Sequence, residues 1–245
     1  MKINTKILKR TVAIIGVVLG LAVAPIPRAF ADVSPTDASP QKAITPSQAV
    51  FGMTYGDWSA AWWQYVLSIP NSTNPILDTT GANCGVGQSS GPVFFLVGAG
   101  TDPVTRTCTV SSKKAFFFPI INSECSTVED PPYHGDNAQE LRTCAGGFTD
   151  GVDINSLKVI IDGKKLHDLE SFRVQSPLFE FVTPSSDNLL GLDGVTSGSS
   201  TSDGYWIMLK PLSPGNHKLH FEAKVTSGPG AGFSQNVTYK LTVTE

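Results

Sequence analysis

Basic residues are scarce in this chain once its first 31 residues are set aside. The full sequence holds 18 Lys plus Arg against 21 Asp plus Glu, a formal net charge of −3. Five of the basic residues and none of the acidic ones lie in residues 1–31, which leaves 13 against 21 and a net charge of −8. A remainder this acidic, with no basic stripe, repels phosphate backbones, so we expect no nucleic-acid partner.

The chain also lacks an apolar run long enough to stay in a membrane. Residues 12–24 are 13 uncharged apolar residues closed by Pro25 and Pro27, whereas a membrane-spanning helix needs about 20. The basic start, this run and the Ala-Phe-Ala at residues 29–31 are typical of a secretory signal peptide. We therefore expect cleavage after Ala31, export to a periplasm or the cell exterior, and no stable membrane anchor in the product.

Cysteines are few, and all four lie in the part that remains after cleavage. Their spacing matches no zinc pattern and contains no C-x-x-C, so an even count in an exported protein predicts two disulfides. Three pairings are possible. We favour Cys84 with Cys108, which bracket a predicted hairpin, and Cys125 with Cys144, which bracket a long polar loop.

The common catalytic motifs are missing. The sequence has no G-x-S-x-G elbow, no H-E-x-x-H helix and no glycine-rich phosphate loop, so the usual hydrolase, metalloprotease and nucleotide-binding signatures are absent. A catalytic triad assembled from distant residues would leave no such motif. Catalysis therefore has to be judged residue by residue.

Residues 123–140 form the chemically densest segment, because acids and a histidine accumulate there without a Lys or Arg. If the protein is an enzyme, its candidate catalytic residues are His134, Glu124 and Asp136, since a Cys125–Cys144 bridge would constrain their loop. Two acids about 5 to 10 Å apart would suffice for glycoside hydrolysis.

The same segment offers candidate metal ligands. Glu129, Asp130 and Asp136 carry the oxygen ligands that Ca²⁺ prefers, but their spacing is not that of an EF-hand. An acidic loop on an acidic protein is usually only solvated. We expect no cofactor, with Ca²⁺ as the alternative.

Residues 55–70 have the periodicity of a helix. Apolar side chains recur there at steps of three and four, which predicts a helix at about residues 56–69 with Asp57 as candidate N-cap and Pro70 at its end. We expect it to be the only long helix.

This helix carries three tryptophans within six positions. They could form a stacking platform for a glycan, but an aromatic stripe at helical spacing more often packs on a core. Trp63 lies off the face shared by Trp58 and Trp62, so we expect it to be exposed and take it as the candidate binding residue.

The remainder of the chain has the patterns of strands. Residues 93–97 and 116–121 are apolar runs that predict central strands buried on both faces. Residues 218–225 and 237–244 alternate apolar and polar side chains, which predicts strands with one solvated face, and His220 lies on that face. We therefore expect a mainly β fold: an antiparallel sandwich, immunoglobulin-like or jelly-roll-like, with one N-terminal amphipathic helix packed on it.

The expected organisation has three parts. Residues 1–31 are the signal peptide, residues 32–50 are a flexible leader rich in Pro, Ser and Thr that should not pack, and residues 51–245 form a single disulfide-containing β-sandwich domain.

Two resemblances add to this interpretation. Residues 55–70, 74–75, 78–81 and 116–122 resemble a group of uncharacterised exported bacterial proteins, which implies a bacterial, exported product. Residues 211–221 are similar to the final strands of many immunoglobulin-like extracellular modules. Neither resemblance carries a function, because a fold does not supply one.

Two hypotheses follow. The first is an exported, non-catalytic β-sandwich protein that binds a protein or a glycan. The second is a secreted hydrolase, carboxylate- or histidine-based, with its site at residues 123–144. An enzyme would need a concave pocket where these candidates converge.

Overall fold

A computed structural model describes residues 43–100 and 103–245, all of which belong to one unit of the chain. The predicted signal peptide, its cleavage point and residues 32–42 of the predicted leader lie outside the described residues.

Within these residues the protein is mainly β, with two sheets and two α-helices. The helices are α1 (Tyr55–Leu67) and α2 (Ala138–Thr149). The strands are β1 (Ala43–Ile44), β2 (Val93–Phe95), β3 (Val104–Ser111), β4 (Ala115–Ser126), β5 (Lys158–Ile161), β6 (Lys164–Lys165), β7 (Arg173–Gln175), β8 (Phe179–Val182), β9 (Ser197–Leu209), β10 (Gly215–Lys224) and β11 (Ser234–Thr244).

The first sheet is organised around the long strand β9. One edge of β9 pairs with β4, and its other edge pairs in succession with β1, β7 and β8. Strand β2 then pairs with the outer edge of β4, but only along Ala115–Phe117. The second sheet has the order β3-β11-β10-β5-β6.

The two sheets pack together through a shared core. Phe118 of β4 stacks on Phe221 of β10 with ring centroids 5.0 Å apart. The Gln235 amide of β11 also donates to the Ile120 carbonyl oxygen of β4 at 2.7 Å. The residues of β4 from Ala115 to Ile121 are at most 2% exposed, so the prediction of a strand buried on both faces is confirmed there.

The expectation of a purely antiparallel sandwich is wrong. Strand β2 runs parallel to β4, and β3 runs parallel to β11. The alternation of β10 and β11 is as predicted, since their apolar residues are buried and the intervening ones are more exposed. A period of two is the same in both strand directions, so the pattern predicts the faces of a strand but not its orientation.

Helix α1 begins with a capping box. The Thr54 hydroxyl accepts from the Asp57 amide at 3.1 Å, and the Asp57 carboxylate accepts from the Thr54 amide at 2.9 Å. Thr54 is therefore the N-cap, and Asp57 is the third helical residue rather than the cap. Asp57 was mistaken for the N-cap because, in a capping box, the Thr54 and Asp57 side chains each accept from the other residue's backbone amide.

The aromatic stripe of α1 packs on the first sheet. Trp58 and Trp62 are 7% and 2% exposed. The Trp58 indole donates to the Val50 carbonyl oxygen at 2.9 Å, and the Trp62 indole donates to the Leu96 carbonyl oxygen at 2.9 Å. The core-packing interpretation is confirmed for these two residues.

The leader prediction fails at its C-terminal end. Ala43 and Ile44 form β1 against β9, and the Tyr55 hydroxyl donates to the Ile44 carbonyl oxygen. Val50 is buried as well. Two paired residues are too short to show any periodicity, so tertiary pairing decided this segment.

Helix α2 occupies part of the segment that we expected to be a loop, and α1 is therefore not the only long helix among the described residues. The Asn137 side chain caps α2 by accepting from the amides of Gln139 and Glu140. Gly146 and Gly147 give the segment a low helix propensity. Packing of Leu141, Ala145 and Phe148 on one face compensates for this.

The structure contains the disulfides Cys84–Cys108 and Cys125–Cys144, which is the pairing that the sequence favoured. The second bridge ties α2 to the end of β4. Two disulfides fit an oxidising environment such as a periplasm or the cell exterior. Neither helix in the described part of the chain combines the length and apolarity needed to cross a bilayer.

Candidate functional site

Strand β4 presents opposite faces to different layers of the protein. A β-bulge between Pro119 and Ile121 shifts its register against β9. After the bulge, Asn122 lies opposite Gly204 and Glu124 lies opposite Ser202. This register decides which side chains of β4 face α1.

The face that carries Asn122 and Glu124 is the one covered by α1. On that face, the Ser202 hydroxyl of β9 lies 3.3 Å from the Ser59 hydroxyl of α1, and the rings of Trp206 and Trp62 are 5.4 Å apart. Alternation places Glu124 on the same side, because residues 122 and 124 pair with even-numbered residues of β9.

The opposite face of β4 is covered first by the second sheet and then by α2. The Ser123 hydroxyl donates to the Ala145 carbonyl oxygen of α2 at 2.7 Å, and Cys125 is bonded to Cys144. Helix α2 therefore continues the layer that the second sheet begins.

A cavity of about 330 Å³ lies where these layers meet. One of its walls is residues 121–124 of β4, beyond the part that pairs with β2. Its aromatic lining residues are Trp63, Tyr133, Phe148 and Phe233, and its aliphatic ones are Ile121, Val152, Leu189, Leu190 and Val225. The volume is within the range of small-molecule sites, roughly 300 to 1,000 Å³.

Two carboxyl groups converge on this mainly apolar cavity. Glu124 and Glu129 both line it and are hydrogen-bonded to each other. The Ser200 hydroxyl donates to Glu124 Oε1 at 2.5 Å, and the Ser126 hydroxyl donates to Glu129 Oε2 at 2.8 Å. Glu124 is only 6% exposed.

Burial raises the pKa of Glu124 well above its usual range, and the neighbouring charge of Glu129 raises it further. Burial also raises the pKa of Glu129, while hydrogen bonds from Ser126 and Glu124 oppose that shift. Both shifts favour the protonated form, and the titration belongs to the pair rather than to either carboxyl alone.

Neither carboxyl group of the pair has a cationic partner within residues 43–100 and 103–245. None of the ion pairs found there includes Glu124 or Glu129, and the cavity lining contains no Lys, Arg or His. An unpaired buried charge is costly in free energy. One wall of the cavity is therefore acidic, and aromatic residues form much of the remaining lining.

Trp63 lines the cavity, although it is partly buried rather than exposed as we expected. Its ring packs edge-on against Trp62 with centroids 5.1 Å apart. The Trp63 indole N–H and the Asn122 amide Nδ2 are buried without a hydrogen-bond partner in the described structure. Both residues belong to the cavity wall.

The other catalytic candidates lie elsewhere. His134 Nε2 is 3.0 Å from Asp136 Oδ1, and His134 Nδ1 is 2.8 Å from the Glu129 carbonyl oxygen. The hydrogen bond that His134 donates to the Asp136 carboxylate raises the pKa of His134, but the Asp136 side chain is 84% exposed. Neither residue lines the cavity, although Glu129 and Tyr133 of the same loop do. Of the three candidates, the structure places only Glu124 in the cavity.

The candidate metal ligands Glu129, Asp130 and Asp136 do not form a cluster. In the described ranges no three His, Cys, Asp or Glu side chains are arranged to hold a metal ion. Glu129 is committed to Ser126 and Glu124, while Asp130 and Asp136 are exposed.

Comparisons with known proteins identify no family. No protein-family model matches this chain, and no curated protein matches it. A solved structure described as the solution structure of amebosin matches 63% of this chain and all of its own length at 12% identity, with a TM-score of 0.19. A TM-score that low carries no argument about fold or function.

Sequence reasoning missed most of the cavity wall. Phe148 had a weak sequence signal, because it follows Leu141 and Ala145 at the three- and four-residue steps of a helix. Phe233 and Leu189 had no sequence signal, since each lies in an irregular segment and reaches the cavity only through tertiary packing.

Proposed function

We propose that this protein is an exported, non-catalytic binding protein and that the cavity beside β4 is its ligand site. The observation that carries the proposal is a concave, largely apolar cavity in which a few polar groups converge. Export after cleavage at Ala31, a bacterial origin and an immunoglobulin-like or jelly-roll-like form of the sandwich remain predictions. The two disulfides support the predicted export.

The lining favours a small ligand with an apolar body and one polar head. Four aromatic and five aliphatic residues supply contacts for the body, and Glu124 and Glu129 supply hydrogen bonds for the head. A glycan would present hydroxyl groups on all sides to a wall that is mainly apolar, and a partner protein would need an extended surface. A glycan and a partner protein, the two ligand classes expected from the sequence, are therefore alternatives that a binding test can distinguish.

A neutral fluorescent amphiphile tests the proposal. N-phenyl-1-naphthylamine should bind the mature protein and gain fluorescence, because the cavity removes its rings from water. Val152→Trp should weaken this binding at least about tenfold, which corresponds to 1.4 kcal/mol. The physical reason is that a larger side chain at Val152 fills a cavity whose wall it already forms.

Val182→Trp is the matched control for this experiment. Val182 lies on β8, is 65% exposed and does not line the cavity, so the same substitution there should leave probe binding unchanged. Equal loss in both variants, or probe binding that neither variant alters, would contradict the proposal. Arms with oligosaccharides in place of the probe test the glycan alternative.

A carboxylate-based hydrolase is the second candidate, and the placement of Glu124 and Glu129 side by side in one cavity is the observation that favours it. Hydrogen-bonded carboxyl groups are closer than the roughly 5 to 9.5 Å that glycoside hydrolysis uses. A pair that shares one proton instead resembles the acid–base arrangement of aspartic proteases. Peptidase activity that is lost in Glu124→Gln while the probe still binds would support this candidate over the first.

A further inference from the structure

We propose that the ligand of this cavity is a protonated amine with an apolar body. The inference rests on the proposed function and names the charge of the head group that the cavity selects. It is carried by the juxtaposition of the Glu124–Glu129 pair with the aromatic rings of Trp63, Tyr133, Phe148 and Phe233.

The first argument is charge complementarity. Two serine hydroxyls, Ser200 and Ser126, each donate to one carboxyl of the pair, and the carboxyls bond to each other. These contacts are all to hydroxyl or carboxyl groups, so no basic side chain compensates the two acids. A cationic head at this wall would form a charge-assisted hydrogen bond and compensate the buried charge.

The second argument is the aromatic lining. The rings of Tyr133 and Phe148 are stacked with centroids 4.9 Å apart, and Trp63 belongs to the same lining. Aromatic faces attract an ammonium group and also bury hydrocarbon. Aromatic rings beside an uncompensated carboxylate therefore complement an amine better than an alcohol.

The same features disfavour an anionic head. A carboxylate or phosphate in this cavity would meet Glu129 with no lysine, arginine or histidine in the lining to bind it. Like charges in a site of low dielectric repel strongly. Fatty acids and phospholipid headgroups are thus expected to bind weakly, although their chains would fit the apolar wall.

Three ligands that differ only in the head group test the inference on the mature protein: octylammonium, octanol and octanoate. Isothermal titration calorimetry at neutral pH should give octylammonium a Kd about tenfold below that of octanol, because it adds one charge-assisted hydrogen bond. Octanoate should bind weakest. Calcium chloride alone forms a fourth arm and should give no binding heat.

Glu129→Gln is the key variant, because it removes the charge and keeps the shape. It should bring the Kd of octylammonium to within about twofold of the Kd of octanol in the same variant, since the charge-assisted bond is what distinguishes the two ligands. Glu180→Gln is the matched control. The exposed Glu180 carboxylate also accepts from a serine, Ser199, at 2.6 Å, but it does not line the cavity.

The results of these titrations distinguish a failure of the amine inference from a failure of the proposed function. Octanol or octanoate binding as tightly as octylammonium would overturn the inference and leave the proposed function standing. If no ligand of any head group bound, both would fall. Calcium binding that Glu129→Gln removes would overturn the inference in favour of a metal site. The series on the unaltered protein remains decisive if Glu129→Gln does not fold.

Discussion

At the scale of single residues, Glu124 is one of two acids in a cavity lining that is mainly apolar. Its position beside the Cys125–Cys144 loop made Glu124 a candidate catalytic residue. Its burial, however, could not be predicted from the sequence. Alternation places residue 124 on a face only when the register is known, and the bulge between Pro119 and Ile121 changes that register. The sequence therefore predicts an acid near the loop but not that this acid is buried in a cavity wall.

The raised pKa of Glu124 implies a stability that depends on pH with a definite sign. A carboxyl whose pKa is higher in the folded state than in the unfolded state stabilises the fold at low pH, and this contribution is lost as the pH rises through the folded value. Glu124→Gln cannot ionise but can still donate to Glu129 and accept from Ser200. The variant should therefore gain melting temperature relative to the parent protein between about pH 4 and about pH 8.

Thermal unfolding of both proteins across that pH range checks the prediction, with Glu180→Gln as the exposed control. The control should differ from the parent protein by less than about 0.5 kcal/mol at every pH, as is usual for surface sites. A Glu124→Gln difference that is the same at both ends of the range would show that Glu124 does not ionise from a buried position.

Arg106 is a second buried ionisable residue, and unlike the glutamate pair it is surrounded by several hydrogen-bond acceptors. Its guanidinium is fully buried and donates to the carbonyl oxygens of Ile76, Asp78, Val97 and Gly98. Five donors in a fixed fork suit such a set of acceptors. The side chain thereby fixes the chain between α1 and β3, and it also donates to the Tyr239 hydroxyl of β11 at 3.0 Å.

At the scale of elements, the two helices differ in how much of them could be predicted. Helix α1 has a long aromatic periodicity, and its observed end at Leu67 is two residues before the predicted one. Helix α2 has only three buried apolar residues and contains two glycines, so its propensity is weak and its packing on β4 forms it. Periodicity predicts an element that carries its own signal, and packing decides one that does not.

The packing of α1 gives a quantitative prediction. Trp58→Ala should cost roughly 3 to 5 kcal/mol of unfolding free energy, as other truncations of buried aromatic residues do. The indole is 7% exposed, contacts the rings of Phe95 and Phe117, and donates to Val50. Denaturant unfolding measures the change.

Phe51→Ala is the control for this prediction, because Phe51 touches the same indole but is 55% exposed. It should cost about 1 kcal/mol or less. A Trp58→Ala change as small as that of the control would mean that the aromatic stripe of α1 does not form part of the core.

At the scale of the whole molecule, the cavity exists because separate layers meet at one strand. Helix α1 contributes Trp63, α2 contributes Phe148, β4 contributes Glu124, and Val225 follows directly after β10 of the second sheet. These residues are far apart in the chain, and only Trp63 and Glu124 were candidates from the sequence. The sequence could predict four of the strands, the cysteine pairing and one helix, but not which of their surfaces would face each other.

The most direct test of the ligand site is the map of amide shifts in the nuclear magnetic resonance spectrum when N-phenyl-1-naphthylamine saturates the mature protein. The account predicts that the largest shifts fall at Ser123, Thr149 and Leu190, which surround the cavity. The amides of Lys218 and His220, on the solvated face of the second sheet, should be unaffected. Shifts concentrated on that face, with none at the cavity, would contradict the account.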